Sequence, residues 1–207
     1  MSTLLVIAKE PVPGRVKTRL CPPFTPWEAA RLAEAALADT LRAVLDTPAD
    51  HRVLALAGAP GPWLPPGFTV LPQGPGGLDE RLAAAFAECA GPTLLIGMDT
   101  PQVTPALLAS GLDFGGCDAW FGPAADGGFW ALGLKAPDPE LLRGVPMSVP
   151  ETGAVQRRRL LDAGLAVRDL PVLRDVDTAA DAREVAGLAR GGRFAAAHAA
   201  LARVAAR

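Results

Sequence analysis

The stretch from Thr93 to Pro101, TLLIGMDTP, constrains this chain more than any other. Thr93 to Ile96 are β-formers or aliphatic with no polar alternation, the pattern of a short strand buried on both faces at the centre of a parallel sheet. The strand stops at once: Gly97 permits a turn and Pro101 blocks continuation. Asp99 therefore lies just past the carboxyl end of a central strand, on the edge where open α/β sheets bind ligands. A carboxylate there is a candidate ligand for a hard cation such as Mg²⁺, which takes oxygen donors and shares them with phosphates. The alternative is that Asp99 caps the helix beginning near Thr104, although Thr104 and Pro105 already supply a cap and a first-turn proline.

Apolar runs read as strands alternate with helical patterns along most of the chain, without internal repeats. This predicts an α/β sandwich with a mainly parallel sheet. Strands are expected at Leu4–Ala8, Arg52–Ala57, Phe68–Leu71, Thr93–Ile96, Asp118–Phe121, Phe129–Leu134 and Ala166–Leu170. Helices are expected from Thr25 to near Asp46, after the glycine-rich turn Gln73–Gly77, over Thr104–Leu112 and over Glu151–Ala163, with a helical turn at Pro137–Arg143. An Ala-rich helix is expected from the Thr178 cap to Arg207. At 207 residues, 50% hydrophobic and 20% charged, the chain fits one domain over 1–207.

A net charge of −2 argues against a surface built to neutralise nucleic-acid phosphates. Three cysteines without CxxC spacing fit a reducing compartment, and two histidines exclude a histidine-rich metal centre. The amino terminus lacks a signal-peptide pattern and no apolar run reaches membrane-spanning length, so a cytoplasmic location is expected.

Between the first strand and first helix lies KEPVPGRVKTRL, Lys9 to Leu20. Pro11, Pro13 and Gly14 block regular structure while Lys9, Arg15, Lys17 and Arg19 concentrate charge. Two of the chain's three lysines sit here. Such a loop, with Gly14 letting backbone approach a ligand, suits polyphosphate binding, although the spacing is not a Walker motif. A solvated basic turn is the bland alternative. In QGPGGLDERL, Asp79 and Glu80 fit helix capping, or the Gly74–Gly77 backbone and Arg81 help hold a base or ribose. GPAADGGFW, Gly122 to Trp130, reads either as a hairpin around Asp126-Gly127 or as an acceptor pocket approached closely by backbone. Arg157, Arg158 and Arg159 point in different directions and read as a solvated face. In RDVDT, Asp175 and Asp177 project to one side if extended, and two such carboxylates need a cation or basic group between them. Thr178 and Asp181 offer a capping-box helix start, which leaves an acid free for metal.

Taken together, AKEPVPGRVKTRL, LLIGMDTP, GPAADGGFWALG and RDVDT resemble the small bacterial nucleotide-diphospho-sugar transferase family related to the deazaflavin-cofactor guanylyltransferases. The resemblance runs from Ala8 to about Asp181. It implies a GT-A type fold, a three-layer sandwich with a mainly parallel, Rossmann-like sheet, that binds a nucleotide with its amino-terminal half, through Ala8, Lys9, Gly14, Arg15, Lys17, Arg19, Gly77 and Arg81. It further implies a Mg²⁺ (or Mn²⁺) site at Asp99, Asp175 and Asp177, and an acceptor site at Asp126, Gly127, Gly128, Phe129 and Ser148. Phe129-Trp130 and Met147-Ser148 stand where the family pattern leads one to expect tyrosines and Trp-Ser. The expected activity is Mg²⁺-dependent glycosyl transfer from a nucleotide-diphospho-sugar to a small acceptor, with Asp99, Lys17 and Asp126 as catalytic residues. Nucleotidyl transfer from a nucleoside triphosphate to a phosphorylated small molecule is the close alternative, and a non-catalytic nucleotide-binding module the distant one.

Overall fold

The structure, a computed structural model, describes residues 1–205; the last two positions of the expected terminal helix, 206–207, lie outside the described residues. Seven strands form one sheet: β1 (Thr3–Lys9), β2 (His51–Ala57), β3 (Thr69–Pro72), β4 (Thr93–Ile96), β5 (Ala119–Pro123), β6 (Phe129–Leu134) and β7 (Val167–Asp169). Their order is β3-β2-β1-β4-β6-β5-β7. All neighbours run parallel except β6, which is antiparallel to both β4 and β5. The fold class expected from the alternation is therefore the one observed. Because β6 is reversed, its first residue, Phe129, lies at the same sheet edge as the last residues of β1 and β4. Pairing Ile96 with Ala131 aligns them. This brings the β5–β6 hairpin tip to the carboxyl edge of the parallel strands.

Alternation along the strands separates two apolar layers. Leu4, Val6 and Ala8 face α1 (Pro26–Asp46) and α3 (Pro105–Gly111), with Leu37, Leu41 and Leu108 fully buried against them. Leu5 and Leu95 face α2 (Leu78–Ala87) and α4 (Thr152–Asp162), where Phe86 and Leu160 are fully buried. Thr93 to Ile96 are buried on both faces, as the pattern required. Thr25 caps α1 through a reciprocal capping box with Glu28, and Pro26 occupies its first turn. Trp63 packs against the first layer as a partly buried side chain.

The carboxyl-terminal region departs from expectation. It forms two helices, α5 (Ala179–Leu188) and α6 (Arg193–Ala205), packed on the outer face of α1 through Leu32, Val185 and Phe194. Arg190-Gly191-Gly192 breaks the run, and Asp39 of α1 caps α6, accepting from the amides of Arg193 at 2.8 Å and Phe194 at 2.9 Å. A periodicity argument sees Ala-rich helix on both sides of this break. The partner that stabilises the new helix start lies 154 residues away. Pro137–Arg143 contracts to a short 3-10 turn at Pro139–Leu141. Among the described residues, no helix is long and apolar enough to cross a membrane.

Candidate active site

A cleft of about 610 Å³ opens at the carboxyl edge of the sheet, within the range of small-molecule sites. Of the residues expected in a site, Ala8, Lys9, Arg15, Lys17, Arg19, Arg81, Asp99, Asp126, Gly128, Phe129, Ser148, Asp175 and Asp177 all line it. Gly14, Gly77 and Gly127 do not. Gly14 has φ +75, so it serves the turn. Gly77 precedes α2 and its amide donates to Glu80 at 2.9 Å, which is the capping reading of that segment.

The floor is the Asp99 loop. Thr104 caps α3, its Oγ1 accepting from the Leu107 amide at 3.2 Å, so Asp99 is not needed for capping and faces the cleft. Likewise Thr178 and Asp181 form the capping box of α5, which leaves Asp177 free. Val176, between the two acids, is buried against α1 and α5, and its amide donates to the Asp99 carbonyl at 3.0 Å. Asp175 and Asp177 therefore both project into the cleft, as extended backbone predicts.

Lys17 joins these segments. Its ammonium donates to Asp99 Oδ2 at 2.6 Å and to Asp177 Oδ1 at 2.8 Å, with only 10% of its side chain exposed. Burial pulls its pKa down, but the charges of Asp99 and Asp177 outweigh that and hold it above its ordinary value. Among the described residues Lys17 is also one of two non-glycine residues with left-handed backbone, at φ 48; the other is Ser148, at φ 60. Both line the same cleft. Left-handed backbone costs an L-residue of order 1–2 kcal/mol and persists only where surrounding contacts hold it.

Asp175 has no such partner. Its Oδ1 is buried without a hydrogen bond, and its carboxyl is pushed up to about 8 by burial first, then by the charges of Asp99 and Asp126. An orphaned carboxyl oxygen beside further carboxylates fits a hard divalent cation. As the side chains stand, no group of three His, Cys, Asp or Glu among the described residues is gathered closely enough to hold a metal ion. The ammonium of Lys17 lies between two of the three expected ligands instead.

The far wall is made by the hairpin tip and the loop before α4. Asp126 Oδ1 accepts from the Gly128 amide at 2.9 Å, a local turn that confirms the hairpin reading and also leaves Asp126 lining the cleft. The Gly153 amide donates to the Gly127 carbonyl at 2.8 Å. Gly127 has φ +90, and a Cβ there would land on the Pro150 carbonyl. Replacing Gly127 by alanine is accordingly expected to destabilise the fold by about 2 kcal/mol or more in denaturant titration, from backbone strain plus this collision. Thr152 Oγ1 donates to the Pro146 carbonyl at 2.8 Å and accepts from the Val149 amide at 3.3 Å, shaping the turn that presents Ser148.

Several lining residues were not foreseen. Gln73 donates from Nε2 to the carbonyls of Ala8 and Ala55, both at 2.8 Å, and accepts from Arg81 at 3.2 Å. It thereby fixes Arg81 against the end of β1. Met98 accepts from the Lys9 amide through sulfur at 3.2 Å. Leu78 and Leu82 supply apolar wall, beside Trp130 and Met147 from segments the sequence had already singled out. Of the unforeseen residues only Gln73 carried a hint, as an amide placed directly after a strand. The three arginines of α4 do not enter the cleft: Arg157 pairs with Asp169 and Arg158 with Asp162, while Arg159 donates to the Arg143 carbonyl.

Comparison with known proteins agrees with this architecture. A structure of a provisionally named nucleotide-diphospho-sugar transferase from Desulfovibrio desulfuricans G20 superposes with a TM-score of 0.86 at 26% identity, covering 99% of this chain and 95% of that one. Rv0371c from Mycobacterium tuberculosis H37Rv, in complex with manganese, matches with a TM-score of 0.55 at 25% identity over 89% of this chain and 96% of its own. The 2-C-methyl-D-erythritol 4-phosphate cytidylyltransferase of Thermus thermophilus shares the fold, with a TM-score of 0.56 at 18% identity over 92% and 100%. No curated protein matches the sequence. The fold is that of the nucleotide-diphospho-sugar transferases. Residues 30–149 match the family described as "uncharacterized protein conserved in bacteria (DUF2064)", and the chain belongs to that family.

Proposed function

We propose that this protein is a nucleotide-dependent transferase that moves a glycosyl group from a nucleotide-diphospho-sugar to a small acceptor with the help of Mg²⁺ or Mn²⁺. The observation that carries the proposal is the meeting of Lys17 with Asp99 and Asp177 beside the unpartnered Asp175, in one cleft at the carboxyl edge of the sheet. Support comes from the similarity, over nearly the whole chain, to the Desulfovibrio protein provisionally named a nucleotide-diphospho-sugar transferase and from the manganese in the Rv0371c complex.

In this reading Asp99, Asp175 and Asp177 would hold the cation, which when bound would neutralise the diphosphate charge that grows as the sugar is transferred. Lys9, Arg15 and Arg19, all exposed on the same side, draw in the phosphates, and Lys17 adds a donor directed at the leaving group. Gln73 and Arg81 bound the nucleoside end. On the opposite wall Ser148 and the Gly128–Phe129 backbone position the acceptor, and Asp126 accepts its hydroxyl proton.

The fold is shared with cytidylyltransferases, and three exposed cations also suit a triphosphate, so nucleotidyl transfer is the competing reaction at the same site. The test is a thermal-shift screen of nucleotide sugars and nucleoside triphosphates, with and without Mg²⁺, followed by product analysis. A ligand at about 100 times its dissociation constant stabilises by roughly 2.7 kcal/mol. A Mg²⁺-dependent shift with one diphosphate sugar, and release of nucleoside diphosphate on adding acceptor, is the expected result. Pyrophosphate release from a triphosphate instead assigns nucleotidyl transfer.

A further inference from the structure

The ammonium of Lys17 sits where the proposed cation would have to bind. It is 2.6 Å from Asp99 Oδ2 and 2.8 Å from Asp177 Oδ1, so it engages two of the three acids assigned to the metal. Mg²⁺ takes carboxylate oxygens at about 2.0–2.1 Å, and two cations sharing the same oxygens would repel each other. Arg19 adds a second positive charge, 3.5 Å from Asp177 Oδ2.

Resting on the metal reading above, we infer that Lys17 is the resident counter-ion of the ligand-free site, competing with the divalent cation for Asp99 and Asp177 and yielding to it when nucleotide phosphates draw the lysine away. The chain is built for such an exchange. Lys17 projects from an irregular loop after Gly14, its own backbone is held in the left-handed region at φ 48, and a flexible four-carbon stem carries its charge. The cations among which phosphates would settle, Lys9, Arg15 and Arg19, line the same cleft. Without Lys17, Asp99 would lose its ion-pair partner and Asp177 would keep only the longer contact to Arg19 at 3.5 Å. With Lys17 in place, metal is weakly held until the diphosphate arrives, so metal and nucleotide binding are positively coupled, and by linkage each raises the affinity of the other by the same factor.

Two measurements test this without relying on turnover. In the first, Mn²⁺ binding is followed by electron paramagnetic resonance for the parent and for Lys17→Gln, with Mn²⁺ alone and with a nucleoside diphosphate. Lys17→Gln is expected to bind Mn²⁺ alone about tenfold or more tighter than the parent, and to gain less from the nucleotide. Equal or weaker binding of Mn²⁺ by Lys17→Gln overturns the inference. If the parent binds Mn²⁺ with nucleotide in that same experiment, the metal reading survives; if neither protein binds Mn²⁺ under any condition, both readings fall. The second measurement uses the unmutated protein and so does not depend on the variant folding. Only Lys9, Lys17 and Lys135 are present, so isotopic labelling of lysine yields three side-chain signals. The buried, ion-paired Lys17 signal is expected to hold still with Mg²⁺ alone and to move when Mg²⁺ and nucleoside diphosphate are added together. A Lys17 signal that stays fixed while both ligands bind refutes the exchange.

Discussion

Asp99→Ala is expected to lower transfer by about a hundredfold or more, the scale on which removing one electrostatic stabiliser of a developing charge acts. It is also expected to abolish the Mg²⁺-dependent part of the thermal shift produced by nucleotide. The fold should survive. Two contacts that tie this loop to the Arg174–Asp177 segment survive in alanine: the Asp99 backbone carbonyl accepts from the Val176 amide at 3.0 Å, and Gln102 Nε2 donates to the Arg174 carbonyl at 2.7 Å. Lys17 loses one partner but keeps Asp177 at 2.8 Å, so the stability cost should stay near 1–3 kcal/mol rather than the larger penalty of a wholly unpaired buried charge. Asp99→Asn, which keeps the shape without the charge, separates the two effects: it should be nearly as inactive yet closer to the parent in stability. Parental rates in Asp99→Ala would remove this residue from the site.

The second large effect runs the other way. Asp175→Asn is expected to make the ligand-free protein more stable, because the parent buries a carboxyl that has no hydrogen-bond partner on Oδ1. Burial and the neighbouring charges of Asp99 and Asp126 push that carboxyl up to about 8, whereas an aspartate in an unfolded chain titrates near 3.9. Between those values the unfolded chain has released a proton that the folded chain retains. The parent therefore loses stability as pH rises from about 4 to about 8, by at most ~1.4 kcal/mol per pH unit, while asparagine does not titrate. The expected gain is close to zero at pH 4 and about 2 kcal/mol or more at pH 8, measured by denaturant titration with chelator present. With Mg²⁺ and nucleotide the ranking should invert, since the parent alone presents a full set of acids to the cation. A gain that is flat with pH would show that the Asp175 environment does not carry the cost assigned to it.

Much of this arrangement was legible in the residue order, for identifiable reasons. The period-2 and continuous apolar runs of β1, β2 and β4 and the Thr-Pro starts of α1 and α3 are local signals, set by backbone sterics and capping chemistry acting within a few residues. The bounds of Thr93–Ile96 and Phe129–Leu134 were read without change. Asp99 was legible because a glycine and a proline bracket it at the end of a doubly buried strand. Asp175 and Asp177 were legible because alternation puts them on one side, with Val176 on the other.

What sequence could not supply was contact between distant segments. That Lys17 takes up both Asp99 and Asp177 depends on residues 82 and 160 positions away; spacing placed all three in loops but said nothing of which cation would face which acid. Gln73 bridging β1 and β2, the buttoning of Gly127 to Gly153, and Asp39 capping α6 are likewise long-range hydrogen bonds. Each depends on geometry that exists only after the sheet has closed its register. Local sequence determined the strands, the helix starts and the loops that carry charge, because those follow from backbone and side-chain preferences over a few residues. The tertiary structure alone decided which charges meet and which carboxyl is left unpartnered, because burial and electrostatic coupling are properties of the packed molecule.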